Sequence, residues 1–200
     1  MDQSTEEKIK TAARKIFHEK GYSGTRTRDI AEEAGINLAL LNYYFRNKKR
    51  LFELVMSDSL EDFFSSIRGA FVDTSTDLDQ KIQIIINNYL DQLTANPNIP
   101  IFLLNELRSN PDALVKKSEL RGVLNSSSFM QQLEERLKET KQTGINPFHL
   151  IVNILGLTVF PFMASPMIKE MRQINDEQFM AFIEERRTLI PQWIQLMIKK

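Results

Sequence analysis

Between Glu33 and Glu53 the chain carries no acidic residue, while Asn42, Tyr43, Tyr44, Arg46 and Lys48 fall close together. An ordinary solvated helix face mixes Glu with Lys. An acid-free stretch of amide, phenol, guanidinium and ammonium groups suits a different chemistry, the gripping of phosphates and the reading of base edges. Further upstream, Thr25, Arg26, Thr27 and Arg28 put hydroxyls and guanidinium groups where a helix can begin. Free backbone N–H groups and the helix dipole favour an anion at such a place.

The residues from Thr25 to Lys48 must hold these groups in position, and they read as two short helices joined by a tight turn. Ile30, Ala31 and Ala34 share one helical face, and Thr25 or Thr27 can cap its start. Gly35 ends the helix, because glycine takes the left-handed conformation without steric cost. Asn37 can cap a second helix that begins at Leu38, in which Leu41 and Phe45 point inward. Ala39, Asn42, Tyr43 and Arg46 then face away, with Leu38, Leu40 and Tyr44 on the flanks. The pattern is that of a helix-turn-helix, whose second helix enters the major groove.

The segment from Ile9 to Leu51, through FHEKGYSGTRTRDIAEEAGI and LNYYFRNKKRLF, resembles the DNA-binding domain of the TetR family of transcriptional repressors. The resemblance implies an all-α fold. An N-terminal three-helix helix-turn-helix domain over 1–50 would bind double-stranded DNA, and a larger helical domain over 51–200 would bind an effector and dimerise. It implies contacts to DNA from Thr25, Arg26, Thr27, Arg28, Asn37, Leu38, Ala39, Asn42, Tyr43, Tyr44 and Lys48, with Arg28 reaching toward a base and Lys48 set on a phosphate. The chain departs from the family in its recognition helix. There Leu38-Ala39-Leu40 and Asn42 stand in place of a small polar or basic run and a tyrosine. Asn42 can bond the edge of an adenine in bidentate fashion, or it can hold only phosphate or water. Leu38, Ala39 and Leu40 can touch thymine methyl groups and cannot read a guanine.

Composition sets the wider frame. The chain has 200 residues and a formal net charge of zero, which by itself argues against nucleic acid. The distribution reverses that reading. Residues 1–50 hold eleven Lys and Arg against seven acids, so a basic head of +4 precedes a body of −4. Cysteine is absent, so there is neither a disulfide framework nor a thiolate metal site. A polar N-terminus without an apolar signal region fits a cytoplasmic protein. No metal, cofactor or catalytic residue is expected. An enzyme would have to work without a Gly-rich phosphate loop or cysteine and with only His18 and His149, far apart in sequence. Glu106 and His149 could act as acid and base only if folding joined them in a cleft. A helical adaptor without a DNA role is the other competing class, and salt-dependent DNA binding separates the two.

In chain order, Ser4-x-x-Glu7 reads as a capping box opening a helix with the apolar stripe Ile9, Ala12, Ala13, Ile16 and Phe17. Gly21 ends that helix, Tyr22 packs back across the turn, and His18 reads as a surface histidine. Residues 50–71 form one long helix, the natural lever between head and body. Leu78 to Leu93 is a further helix, and another helical region reaches Thr140. No charged residue occurs from Gln142 to Ile168, but Asn153, His149, Pro161 and Pro166 argue against a membrane span. A helix apolar all round is also what a doubly buried helix looks like. The last helix, Asp176 to Ile198, is amphipathic.

The resemblance further implies that the last two long helices pair with those of a second subunit in a four-helix bundle. Leu150, Ile154, Leu157, Phe182, Ile183, Arg186 and Ile190 are the candidate contacts for this homodimer. Two recognition helices would then meet successive major grooves of a palindromic operator, about 34–36 Å apart. It also implies a pocket for an unknown small-molecule effector among the central helices. The candidate lining residues are Phe64, Ile67, Tyr89, Phe102, Leu103, Glu106, Phe129, Asn153 and Phe160. Such a lining suits an apolar or amphipathic ligand. DNA selected from a random pool should carry A·T pairs at the positions under Leu38–Asn42; a selected half-site with G·C at all of them would contradict this reading.

Overall fold

Ser4 opens the chain's first helix by accepting the Glu7 N–H at 3.3 Å. The other half of a capping box is not made there, since Glu7 pairs instead with Lys10 at 3.0 Å. The computed structural model describes residues 4–97, 99–101, 104, 108, 122 and 127–199, the side chains of 56, 60, 63, 64, 66 and 67 excepted. Helices α1 (Thr5–Gly24), α2 (Thr27–Glu33), α3 (Leu38–Tyr44), α4 (Lys48–Val72) and α5 (Leu78–Ala95) come first. They are followed by α6 (Ser128–Glu139), α7 (Phe148–Met163), α8 (Ser165–Arg172) and α9 (Asp176–Met197). The fold is all-α, with no strand among the described residues.

The chain divides into two compact units at Phe63/Phe64, beyond the expected boundary at 50/51. The reason lies in how the first part of α4 packs on α1. Leu51 and Val55 are buried, and Phe52 meets Phe17 edge-on at 4.9 Å. Arg14 pairs with Asp62 at 2.7 Å. The first unit is closed below by Ile9, Ala13, Ile16 and Phe17 of α1, together with Ile30 of α2 and Leu41 of α3. The stripe expected for α1 is the buried one.

His18 is not the surface histidine expected. It is half-buried, with Nε2 at 3.3 Å from Ser59 Oγ. Burial, and then the nearby Arg14 charge, push its imidazole down from 6.5 to about 4.

In the second unit α5 lies against α6, α7 and α9. Asp77 caps α5 by accepting the Gln80 N–H at 2.8 Å, and Gln80 Oε1 accepts the Asp77 N–H at 3.0 Å. Ile82, Ile85, Ile86, Leu90 and Leu93 are then buried along one face. Lys81 is fully buried too, and its ammonium donates to the Thr76 carbonyl and to Thr76 Oγ1. The Thr76 hydroxyl in turn donates to Asp73 at 2.7 Å. Hydrogen bonds from the Ser75 N–H, the Ser75 hydroxyl and the Thr76 hydroxyl hold the Asp73 carboxyl down to about 2. The polar loop between α4 and α5 is therefore tied around a buried cation.

The apolar run after Gln142 splits into two helices. The segment Phe148–Met163 turns by 67° into Ser165–Arg172, with a proline in the first turn of the second helix. No single helix among the described residues is long and apolar enough to cross a membrane.

Because the folded imidazole resists protonation, stability should be full above pH ~6.5 and fall as pH drops toward 4, a range within which the unfolded chain binds up to about one more proton. Thermal unfolding followed across this range should show that slope, and His18→Asn should flatten it. An unchanged slope in the variant would contradict the assignment.

Candidate nucleic-acid interface

The turn between α2 and α3 is closed by the backbone itself. Gly35 sits at φ +65°, its N–H donates to the Glu32 carbonyl at 3.0 Å, and the Ile36 N–H donates to the Ala31 carbonyl at 3.0 Å. This pair of bonds is the Schellman arrangement, and its left-handed position favours glycine. Asn37 then accepts the Leu40 N–H at 2.8 Å and starts α3 as expected. Leu41 and Phe45 are buried, at 1% and 6% exposure. With those two turned inward, Ala39, Asn42 and Tyr43 are turned out. Tyr43 is 80% exposed and stands perpendicular to Tyr44, with ring centres 5.5 Å apart. Leu38 and Leu40 are half-buried on the flanks, and Asn37 is exposed.

The charges around this face are sorted. Glu6 and Glu7 pair with Lys10, Glu33 with Lys15 at 2.7 Å, and Asp29 with Lys20 at 2.9 Å. The Lys20 ammonium beside Asp29 holds its carboxyl below the usual range, with help from the Arg26 N–H. Arg26, Arg28 and Arg46 are exposed, and none of them has an ion-pair partner among the described residues. An exposed guanidinium without an ion-pair partner among the described residues can meet a phosphate or a guanine edge. Arg46, expected on the outward, acid-free face, is exposed just beyond the end of α3.

Two expected contact residues are engaged elsewhere. Thr25 does not cap α2. It is buried at 2% exposure, and its hydroxyl donates back to the Gly21 carbonyl at 2.7 Å. The start of α2 is closed instead by Asp29, whose carboxylate accepts the Arg26 N–H at 3.4 Å. Thr27 is half-buried. Lys48, expected on a phosphate, directs its ammonium to the carbonyls of Tyr22 and Thr25 at 2.8 and 3.0 Å.

In the second unit only some of the expected pocket and dimer residues lie among those described. Tyr89 and Phe129 are buried core side chains, and Phe129 packs on Phe71 with ring centres 4.7 Å apart. Burial pushes the Tyr89 phenol well above its ordinary range. Asn153 and Phe160 lie on the exposed side of α7, so they do not line the interior of their own unit. Phe102, Leu103 and Glu106 fall outside the described residues, as do the side chains of Phe64 and Ile67. His149 is exposed on α7, so its pairing with Glu106 in a cleft finds no support.

Of the dimer candidates, Leu150, Ile154, Ile183 and Ile190 are buried within the subunit's own core. Arg186 donates to the Leu157 carbonyl at 2.9 Å and lies over the rings of Phe182 and Trp193, at 5.5 and 5.3 Å. These contacts join α7 to α9 within one chain. The helix presents its other side, Phe148, Val152, Gly156 and Phe160, to the outside.

The sequence pattern of the family described as "Bacterial regulatory proteins, tetR family" matches residues 9–55, the stretch from α1 into α4. The chain is similar to the "Probable HTH-type transcriptional regulator YttP" of Bacillus subtilis (strain 168), 26% identical over 85% of this chain and 83% of that protein. It is similar also to the "Fatty acid metabolism regulator protein" of the same organism, 27% identical over 57% of this chain and 59% of the relative. In three dimensions it matches the fatty acid degradation regulator FadR from Bacillus halodurans, with a TM-score of 0.56 over 96% of each chain and 22% identity, a likeness of fold. A helix-turn-helix of this geometry, matched by that family and carried on a chain whose relatives regulate transcription, makes the protein a DNA-binding member of the TetR family of transcriptional regulators.

Proposed function

We propose that the protein is a dimeric repressor that sets α3 into the major groove of a palindromic operator and is released by a small apolar or amphipathic molecule. It would act in the cytoplasm. The observation that carries this reading is the exposed, acid-free face of α3, flanked by three arginines without acidic partners among the described residues. Asn42 and Tyr43 stand at its centre and would meet bases. Arg26, Arg28 and Arg46 would grip the backbone on either side, with Arg28 also within reach of a base edge.

Self-association is supported by α7. Phe148, Val152, Gly156 and Phe160 follow one another at every fourth residue, and all four are exposed. On α9, Leu196 adds another exposed apolar side chain, at 69%. Covering a large apolar side chain is worth roughly 1.5–3 kcal/mol, so a few such residues contributed by each subunit can hold a dimer. Gly156 has no atom within 4 Å of where a Cβ would stand, which leaves room for a close helix crossing.

Release would work as a shift of populations. Helix α4 carries residues of both units, so a ligand that prefers one placement of α4 shifts the heads between grooves and away from them. The effector class rests on the family resemblance and on the relative described as a fatty acid metabolism regulator, which makes a fatty acid the first ligand to try.

Arg46→Ala should weaken binding to all duplexes alike and reduce the slope of log K against log salt by about 0.9, whereas Asn42→Ala should change which sequence is preferred. Filter binding across a salt series reads both; wild-type behaviour in both variants would contradict the interface. Val152→Glu should halve the sedimenting mass while leaving the helical circular-dichroism signal unchanged, and an undisturbed mass would remove α7 from the dimer contact.

A further inference from the structure

The α1–α2 junction poses a problem that its own residues do not solve. Gly21 breaks α1 at φ +66°, ψ 175°, and the helical turn that follows ends at Gly24. The last carbonyls of a helix have no donors within it and call for a cation or another cap. Yet α1 has no basic residue in its last turn. The Thr25 hydroxyl satisfies the Gly21 carbonyl, and the carbonyls of Tyr22 and Thr25 itself are left to be met from elsewhere.

Helix α4 supplies the missing charge. Lys48 Nζ lies 2.8 Å from the Tyr22 carbonyl and 3.0 Å from that of Thr25. It also lies 4.2 Å from the centre of the Tyr22 ring. The same ring packs 4.7 Å from Phe52, one turn further along α4. Tyr22 is thus held by two successive turns of α4, by its carbonyl and by its ring face. An ammonium has three donors, and two are spent here. Arg26 follows Thr25 directly, and Arg28 comes two residues later.

We infer that Lys48 is a positioning residue: clamped on the Tyr22 and Thr25 carbonyls, it fixes the α1–α2 junction and so the aim of Arg26 and Arg28. This rests on the reading that those two arginines meet DNA. A lysine that only gripped a phosphate would have no need of the two carbonyls. A lysine acting only on stability would leave DNA affinity unchanged once the protein is folded.

The test compares the full-length wild type with Lys48→Met and Lys48→Gln, well below their melting temperatures. Amide hydrogen exchange over Tyr22–Arg28 should speed up about tenfold or more in Lys48→Met, with Ile82–Leu93 unchanged. DNA affinity should fall at every salt concentration while the salt slope stays that of the wild type, because the arginines meet the same phosphates in the complex and only the cost of ordering the junction is added. Lys48→Gln, neutral but still able to donate, should recover part of both the protection and the affinity. A slope lowered by about 0.9 with unchanged junction exchange would identify a phosphate contact and overturn the proposal. Faster exchange with unaltered affinity would overturn it as well. Should Lys48→Met fail to fold, the glutamine variant carries the test, and its matching the wild type in junction exchange and affinity while losing slope would refute the clamp. If the wild type binds no duplex, the DNA reading has failed, and junction exchange alone decides whether the clamp exists.

Discussion

Burial of Leu41 and Phe45 beneath α3 is the interaction on which the DNA-binding face depends. A seven-residue helix is far too short to persist in water by itself, because nucleation costs more than so few hydrogen bonds return. α2 has the same length and the same problem. Each exists because one side is packed: Ile30 and Ala31 from α2, Leu41 from α3 and Phe45 directly after it. The outward residues contribute little to that packing. Their side of the helix is therefore free to be chosen for what it binds, and a face of Asn, Tyr and Ala is the result.

The second feature is what the head does with its charge. A surplus of four positive charges over residues 1–50 would repel itself if spread evenly. Instead Lys10, Lys15 and Lys20 are matched to acids on α1 and α2, and Lys48 is matched to carbonyls. The exposed pairs add little stability one by one. They cancel those charges locally, while Arg26, Arg28 and Arg46 stay exposed without acid partners among the described residues. Neutral overall, the chain can still present a basic surface.

Much of this was legible in the sequence, and the failures have physical causes. The stripe of α1, Gly35 as a turn and Asn37 as a cap were readable because each depends on local chemistry. Thr25 was misread as a cap because a hydroxyl serves a nearby carbonyl as readily as a free N–H, and only the break at Gly21 decides which it meets. α7 hid its orientation. A helix apolar all round offers two candidate stripes, and sequence cannot rank them. Leu150, Ile154, Thr158 and Phe162 form the inner one, with the Thr158 hydroxyl returned to the Ile154 carbonyl at 2.7 Å. The outer one is displaced from it by two residues. The clamp by Lys48 could not be read from spacing, since it joins residues more than twenty positions apart.

The central claim is that the outward face of α3 is covered by duplex DNA when the protein works. Hydroxyl-radical labelling of the side chains, read by mass spectrometry with and without a selected duplex, tests it most directly. Tyr43, 80% exposed, should be strongly protected by the duplex, while Met167 and Met171 on α8 keep their reactivity. A bound duplex that leaves Tyr43 as reactive as in the free protein would contradict the account.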